Sequence, residues 1–203
     1  MKLIVGRPST WSMRTWMCTR LAGVECEVIP VALSGDGYRE QLARYSPSML
    51  VPVLIDGDLV IHDSLAIAEY LNEHSGGRLL PADSSARAMA RSLLAELHSG
   101  FFQLRSTCPY TLEVVEPVVV SNAIQAELTR VTQIFSQATG EYMFDAPGAV
   151  DAFYAVLASR LSIYGVSLEG RAGEYQRALT DWSLFKSAWQ QVSQWSVDGG
   201  CHQ

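Results

Sequence analysis

The stretch from Ser46 to Glu73, SPSMLVPVLIDGDLVIHDSLAIAEYLNE, limits what this chain can fold into more than any other segment. Val51-Pro52 leads into Val53-Leu54-Ile55, a short apolar run suited to a buried strand. Asp56-Gly57-Asp58 marks a tight turn, so Leu59-Val60-Ile61 reads as the returning strand of a hairpin. The period then changes. Asp63 and Ser64 precede Ile67, Tyr70 and Leu71 at helical spacing, which puts a helix start at or beside that pair. The free N–H groups and dipole of a helix start attract a carboxylate, the Ser64 hydroxyl adds a donor, and Asp63 supplies an anion for an ammonium. One helix start would thus grip both charges of an amino-acid end group, although the pair also suits a plain helix cap. Pro52 cannot donate to a ladder, which leaves the Val51 backbone free to pair elsewhere.

The whole chain, 203 residues with 48% hydrophobic and 18% charged side chains, can bury a core as one large or two small domains. A net charge of −6 argues against nucleic acid or an anionic membrane surface as the main partner. The start, MKLIVGRPSTWSM, has too short an apolar run for a signal peptide, and no stretch approaches a membrane span. Cys18, Cys26, Cys108 and Cys201 show no CxxC spacing and form no metal-ligand set with the four histidines, so no metal is expected and a reducing cytoplasm fits best.

Lys2 to Gly6 reads as a first strand. Arg7 to Ser12 is then a loop, and Met13, Trp16, Met17 and Leu21 form a helical stripe ending at Gly23. Cys26 to Val31 reads as a second strand, and a second helix lies around Arg39 to Tyr45. Gly76 to Ser85 has linker composition, and Ser84 or Ser85 would cap a long helix whose buried face is Met89, Leu93, Leu97, Phe101 and Leu104. Arg91, His98 and Arg105 recur at sevens on another face of it, most simply a solvated stripe. Ile124, Leu128, Val131 and Phe135 mark a further helix, Val156 to Tyr164 a largely buried one, and Tyr175 to Trp195 one or two closing helices. Val197 onward reads as a frayed tail.

The loop before the first helix is the candidate for the chemistry. A hydroxyl at a helix N-terminus donates to a thiolate, and the dipole favours the anion. A hydrogen bond to a charged group contributes about 1.5–3 kcal/mol, which lowers a thiol pKa by about one to two units. Cys18 inside a helix and Cys26 inside a strand read as inert packing residues.

Three segments carry a resemblance to the glutathione S-transferase superfamily. Val51-Pro52-Val53-Leu54 with Asp56-Gly57 and Asp63-Ser64-Leu65-Ala66-Ile67 resembles that family's thioredoxin-like half. Ser9-Thr10-Trp11-Ser12-Met13-Arg14-Thr15-Trp16 and Ala95 to Ser106 resemble a group of bacterial transferases. The resemblance implies an α/β thioredoxin-like N-terminal domain over residues 1–77, a linker over 78–86 and an all-α helical C-terminal domain over 87–203. It implies glutathione as co-substrate, a cis Pro52, a Val51 backbone that pairs with the cysteinyl part, and Asp63 and Ser64 on the γ-glutamyl end. Ser9 becomes the first candidate to hold the thiolate, with Ser12 and Thr10 as alternates. Trp11 either lines the pocket or covers the core, the pocket being favoured. Phe102, Arg105 and Tyr110 become candidates for the wall facing a second, hydrophobic and electrophilic substrate, and a homodimer is expected. Ala149-Val150-Asp151-Ala152-Phe153 resembles the family's C-terminal helix start, where the aspartate belongs to a capping box and serves folding; Gly148 stands where the family has a cap serine.

Two departures bear on chemistry. Leu50 stands where the family often has lysine or glutamine in contact with the tripeptide, and Glu113 lies where related bacterial proteins carry basic residues. Loss of one cationic partner costs about 1–3 kcal/mol, or tenfold or more in affinity, so weak glutathione binding or another thiol is the expectation. A thiol transferase is the first functional expectation. A specialised biosynthetic thiol or sulfur transferase, or a glutathione-dependent isomerase, is the second, and a non-catalytic interaction protein on the same fold is the third.

Overall fold

A computed structural model describes residues 1–113 and 115–195 of the chain. Strands β1 (Lys2–Gly6), β2 (Glu27–Val31), β3 (Val53–Asp56) and β4 (Leu59–His62) form one sheet in the order β2-β1-β3-β4. β1 pairs parallel with β2 and antiparallel with β3, and the β3–β4 hairpin closes on Asp56 opposite Leu59. Pro30 is tolerated because β2 is an edge strand. Helices α1 (Thr10–Ala22), α2 (Tyr38–Ala43) and α3 (Ser64–His74) complete this half. Gly23 ends α1 in the left-handed conformation, φ 69°, with its N–H on the Arg20 and Thr19 carbonyls.

The second half is helical: α4 (Ser84–Ser99), α5 (Phe102–Thr107), α6 (Asn122–Phe135), α7 (Ala149–Ile163), α8 (Gly170–Asp181) and α9 (Ser183–Gln194). An α/β thioredoxin-like half followed by an all-helical half is the fold class expected from the resemblance. One buried cluster runs through both, from Leu3, Met13 and Ile67 to Leu97, Phe153 and Phe185. The α7 helix is the centre of it, buried from Ala149 to Leu161, and α1 packs directly on α7.

Asp151 is structural, as expected. Its Oδ2 accepts the Gly148 N–H at 2.8 Å, while Oδ1 accepts the Met143 N–H (2.8 Å) and the Tyr175 hydroxyl (2.6 Å). The glycine has its own reason. A Cβ at Gly148 would stand 2.7 Å from the Leu79 carbonyl oxygen, so a serine cap cannot fit without movement.

Several local expectations are corrected. Helix α1 starts at Thr10 with Ser9 as its N-cap, so Thr10, Trp11 and Ser12 form its first turn and not a loop. Asp83, not a serine, caps α4 through the Ala86 N–H. The long helix is interrupted: Gly100 is extended and Phe101 takes φ 57°, so α5 is a separate short helix. A Cβ at Gly100 would meet the Glu96 carbonyl oxygen at 2.7 Å, which ties the break to glycine. Met89 faces outward, half exposed, while Leu93, Leu97, Phe101 and Leu104 are buried as expected. The closing segment is two helices, and the first starts at Gly170, five residues before Tyr175. The segment from Val197 lies outside the described residues.

Candidate active site

Two helix N-termini open onto one trough. At the first, the Ser9 hydroxyl accepts the Ser12 N–H at 3.2 Å, so its own proton remains for another acceptor. Ser9 lines a cavity of about 460 Å³ with Thr10, Trp11, Tyr38, Arg39, Leu50, Val51 and Tyr110. Ser12 is different. It is fully buried, and its hydroxyl accepts the Gly6 N–H at 3.2 Å, pinning the end of β1 to α1.

At the second N-terminus, Asp63 caps α3 by accepting the Leu65 N–H at 2.7 Å, in a backbone conformation (φ 76°, ψ 133°) rare for a non-glycine residue. A cavity of about 290 Å³ joins Asp63, Ser64, Pro52, His62 and His98. It shares Trp11, Ser48, Leu50 and Val51 with the first cavity, and those residues form the common wall of the trough. The Val51–Pro52 peptide is cis, as is Arg7–Pro8. The β1–β3 ladder pairs Val53, Leu54 and Ile55, so Val51 lies outside it.

Behind this wall sits a buried cation that sequence reasoning did not assign a role. Arg14 lies between the Trp11 and Phe153 rings, its guanidinium carbon 4.0 Å from each centroid. Its Nε and Nη2 donate to the Ser64 hydroxyl at 3.1 and 2.7 Å, and Nη2 also meets His98 Nδ1 at 2.9 Å. Burial pulls its pKa down to about 9, which leaves it charged at neutral pH. His98 Nε2 in turn lies 3.1 Å from Asp63 Oδ2. Burial, assisted by Arg14 and Arg105, holds the imidazole below its ordinary pKa, with Asp63 opposing.

The polar stripe on α4 and α5 therefore meets the sheet-bearing half, with Arg91 still exposed and His98 and Arg105 partly buried. Arg91 pairs with Glu69 (2.9 and 3.0 Å), His98 joins Arg14 to Asp63, and Arg105 stands 4.8 Å from the Trp11 centroid. Arg14, Arg105 and Arg160 line a narrow crevice with Thr10 and Trp11. Among the described residues no carboxylate pairs with Arg105 or Arg160; Arg160 is buried and donates to the Arg105 and Cys108 carbonyls at 3.2 and 2.7 Å.

Of the expected second-substrate wall, Tyr110 lines the Ser9 cavity, its hydroxyl near Met13 Sδ and its pKa raised by burial. Arg105 lines the crevice. Phe102 is 64% exposed, 5.6 Å from Arg105 and outside these cavities. Leu50 brings no cation to the trough, yet Arg39 on α2 lines the cavity with it and donates to the Tyr38 hydroxyl at 3.0 Å. The Cys18 thiol is buried and pushed up to about 12, which agrees with an inert packing role. Among the described residues no cluster of His, Cys, Asp or Glu could hold a metal ion, and no helix is long and apolar enough to cross a membrane.

A thioredoxin-like sheet packed against an all-helical half is the two-part architecture of the glutathione S-transferase fold. In sequence and in fold the chain is similar to the glutathione S-transferase superfamily. The family model described as the glutathione S-transferase N-terminal domain matches residues 8–74. The chain is 31% identical to glutathione S-transferase Z1 of Arabidopsis thaliana over 66% of its own length and 64% of that protein. It is 32% identical to maleylacetoacetate isomerase of Rattus norvegicus over 66% and 65%. The chain thus spans just under two thirds of these two curated relatives. A glutathione transferase homologue from Burkholderia, solved with bound glutathione, superposes with a TM-score of 0.72 at 22% identity, covering 95% of this chain and 97% of that one.

Proposed function

We propose that this chain is a glutathione-dependent enzyme that activates a thiol for attack on a small acidic electrophile. The observation that carries the reading is the shared trough, with Ser9 at one end and Asp63 and Ser64 at the other. In this reading the γ-glutamyl carboxylate meets Ser64, its ammonium meets Asp63, and the cysteinyl part pairs with the Val51 backbone. The Ser9 proton, which the cap does not use, donates to the thiolate, and the α1 dipole adds to the stabilisation. Thr10 and Trp11 border the sulfur. Arg39 supplies a cation for the glycyl carboxylate in place of the lysine or glutamine that Leu50 replaces.

The acidic character of the second substrate rests on Arg105. Arginines that line a crevice without paired carboxylates favour an anion there, and Tyr110 adds an apolar face. The thiolate attacks an electrophilic carbon, forming a C–S bond; a leaving group departs with its electron pair, or a proton is taken up where an activated double bond is the acceptor. A glutathione-dependent isomerase is the second reading, favoured by the likeness to the rat isomerase. There the C–S bond breaks again after rotation, and the thiol is returned.

Calorimetry with glutathione, beside Ser9→Ala and Ser64→Ala, tests the binding half. Binding lost in Ser64→Ala and conjugation lost in Ser9→Ala are expected. Absence of glutathione binding with activity on another thiol overturns the choice of donor. Counting thiol consumed per turnover separates transfer from isomerisation, and binding without turnover over a panel of acidic and neutral electrophiles leaves the non-catalytic role. Sedimentation reads the expected homodimer.

A further inference from the structure

His98 is held by groups from three elements, and they admit one protonation state. Arg14 on α1 has only N–H donors, so His98 Nδ1, 2.9 Å away, must offer its lone pair. The ring proton is then on Nε2, aimed at Asp63 Oδ2 at 3.1 Å from the start of α3. The Trp11 ring meets the imidazole edge-on, with centroids 5.1 Å apart. The charged groups that face His98 are Asp63, Arg14 and, from α5, Arg105. A second proton would put an N–H against the Arg14 guanidinium and break that contact.

The consequence falls on Ser64. Its oxygen accepts two guanidinium N–H bonds, which occupy both lone pairs, so the Ser64 hydroxyl can only donate. We propose that His98, in its neutral Nε2–H form, is a positioning residue for the amino-acid end of the thiol: it holds Arg14 against Ser64, making that hydroxyl an obligate donor to a carboxylate, and steers Asp63 to receive an ammonium. The inference rests on the glutathione reading and adds a residue to it. Protonation of His98 releases Arg14 from one side and draws the Asp63 carboxylate toward the imidazolium, so both halves of the grip weaken together.

The test uses S-methylglutathione, which has no thiol to ionise, titrated by calorimetry across the range where histidine changes charge, about pH 5 to 8. His98 binds ligand in its neutral form, and its pKa is held low. Affinity is therefore level near neutrality and falls as the pH drops through that lowered pKa, by up to about tenfold per unit. His98→Gln, whose amide oxygen can accept from Arg14 while its NH₂ donates to Asp63, keeps the neutral-pH affinity within about threefold and loses the acid limb. His98→Ala loses about tenfold or more at neutral pH with its melting transition retained. Wild-type affinity in His98→Ala, or a wild-type acid limb in His98→Gln, overturns the proposal while Ser64→Ala still reports on the glutathione reading. If His98→Ala does not fold, the His98→Gln profile decides. A wild-type chain that binds no S-methylglutathione at any pH overturns both.

Discussion

The Arg14 guanidinium directs two of its N–H groups to one oxygen, the Ser64 hydroxyl, across fifty residues of chain. This pair fastens α1 to the start of α3 at the place where the proposed function puts the γ-glutamyl carboxylate. Ser64→Ala removes the acceptor from a cation that stays buried between two aromatic rings. A hydrogen bond to a charged group contributes about 1.5–3 kcal/mol, so the substitution is expected to lower stability by that order and glutathione affinity by about tenfold or more. Thermal denaturation and calorimetry check the two effects separately.

Ser9 and Ser12, three residues apart, should both contribute stability, and only Ser9 should move the thiol. Ser9→Ala loses a cap, which costs about 0.5–2 kcal/mol, and loses the donor to sulfur. The pKa of bound glutathione is then expected to rise by about one to two units, read from thiolate absorbance. Ser12→Ala leaves the buried Gly6 N–H without its partner, costing about 1–3 kcal/mol of stability with the thiol pKa unmoved. An unchanged thiol pKa in Ser9→Ala would remove Ser9 from its assigned role.

Arg105→Gln keeps a polar, hydrogen-bonding side chain, though a shorter one, and deletes the charge beside Trp11. With a carboxylate-bearing electrophile, kcat/KM is expected to fall by about tenfold, the scale of one charge-assisted contact. With a neutral electrophile it should change by less than about twofold. Equal losses on both substrates would show that Arg105 acts through packing.

Arg130 and Glu96 link α6 to α4 by a bidentate pair, 2.6 and 2.8 Å. The hydrogen bond from Arg130 holds the Glu96 carboxyl below its usual range. A depressed acid contributes stability above its unfolded pKa and loses it as pH falls through the folded value. Both side chains are at least a third exposed, so screening keeps the contribution under about 1 kcal/mol. The gap in melting temperature between wild type and Glu96→Gln should close as the pH falls below about 4, and shrink in high salt.

The sheet-bearing half could be read from residues because its signals are local. The Asp56-Gly57-Asp58 turn fixes the hairpin, the change of period at Asp63 fixes α3, and Asp151 three residues after Gly148 announces its capping box. The break at Gly100 could have been suspected from the glycine, but the apolar stripe continues through Phe101 and Leu104 and hides it. The role of His98 had no local signal. Its seven-residue spacing from Arg91 and Arg105 defines a polar face, and only the docking of α1 and α3 turns that face inward. Arg14 looked like one polar residue in a helix; the rings that bury it come from Trp11 and, 139 positions further along, Phe153.

Leu50 is 69% exposed at the mouth of the trough, and its N–H donates to the Ser48 hydroxyl at 3.4 Å. A side chain that lines the proposed thiol site while supporting almost nothing of the fold can be exchanged at little cost to the protein. On the proposed function, thiol selectivity at this position is uncoupled from folding, so a change of co-substrate through it leaves the buried arginine, the capped helices and the sheet as they are.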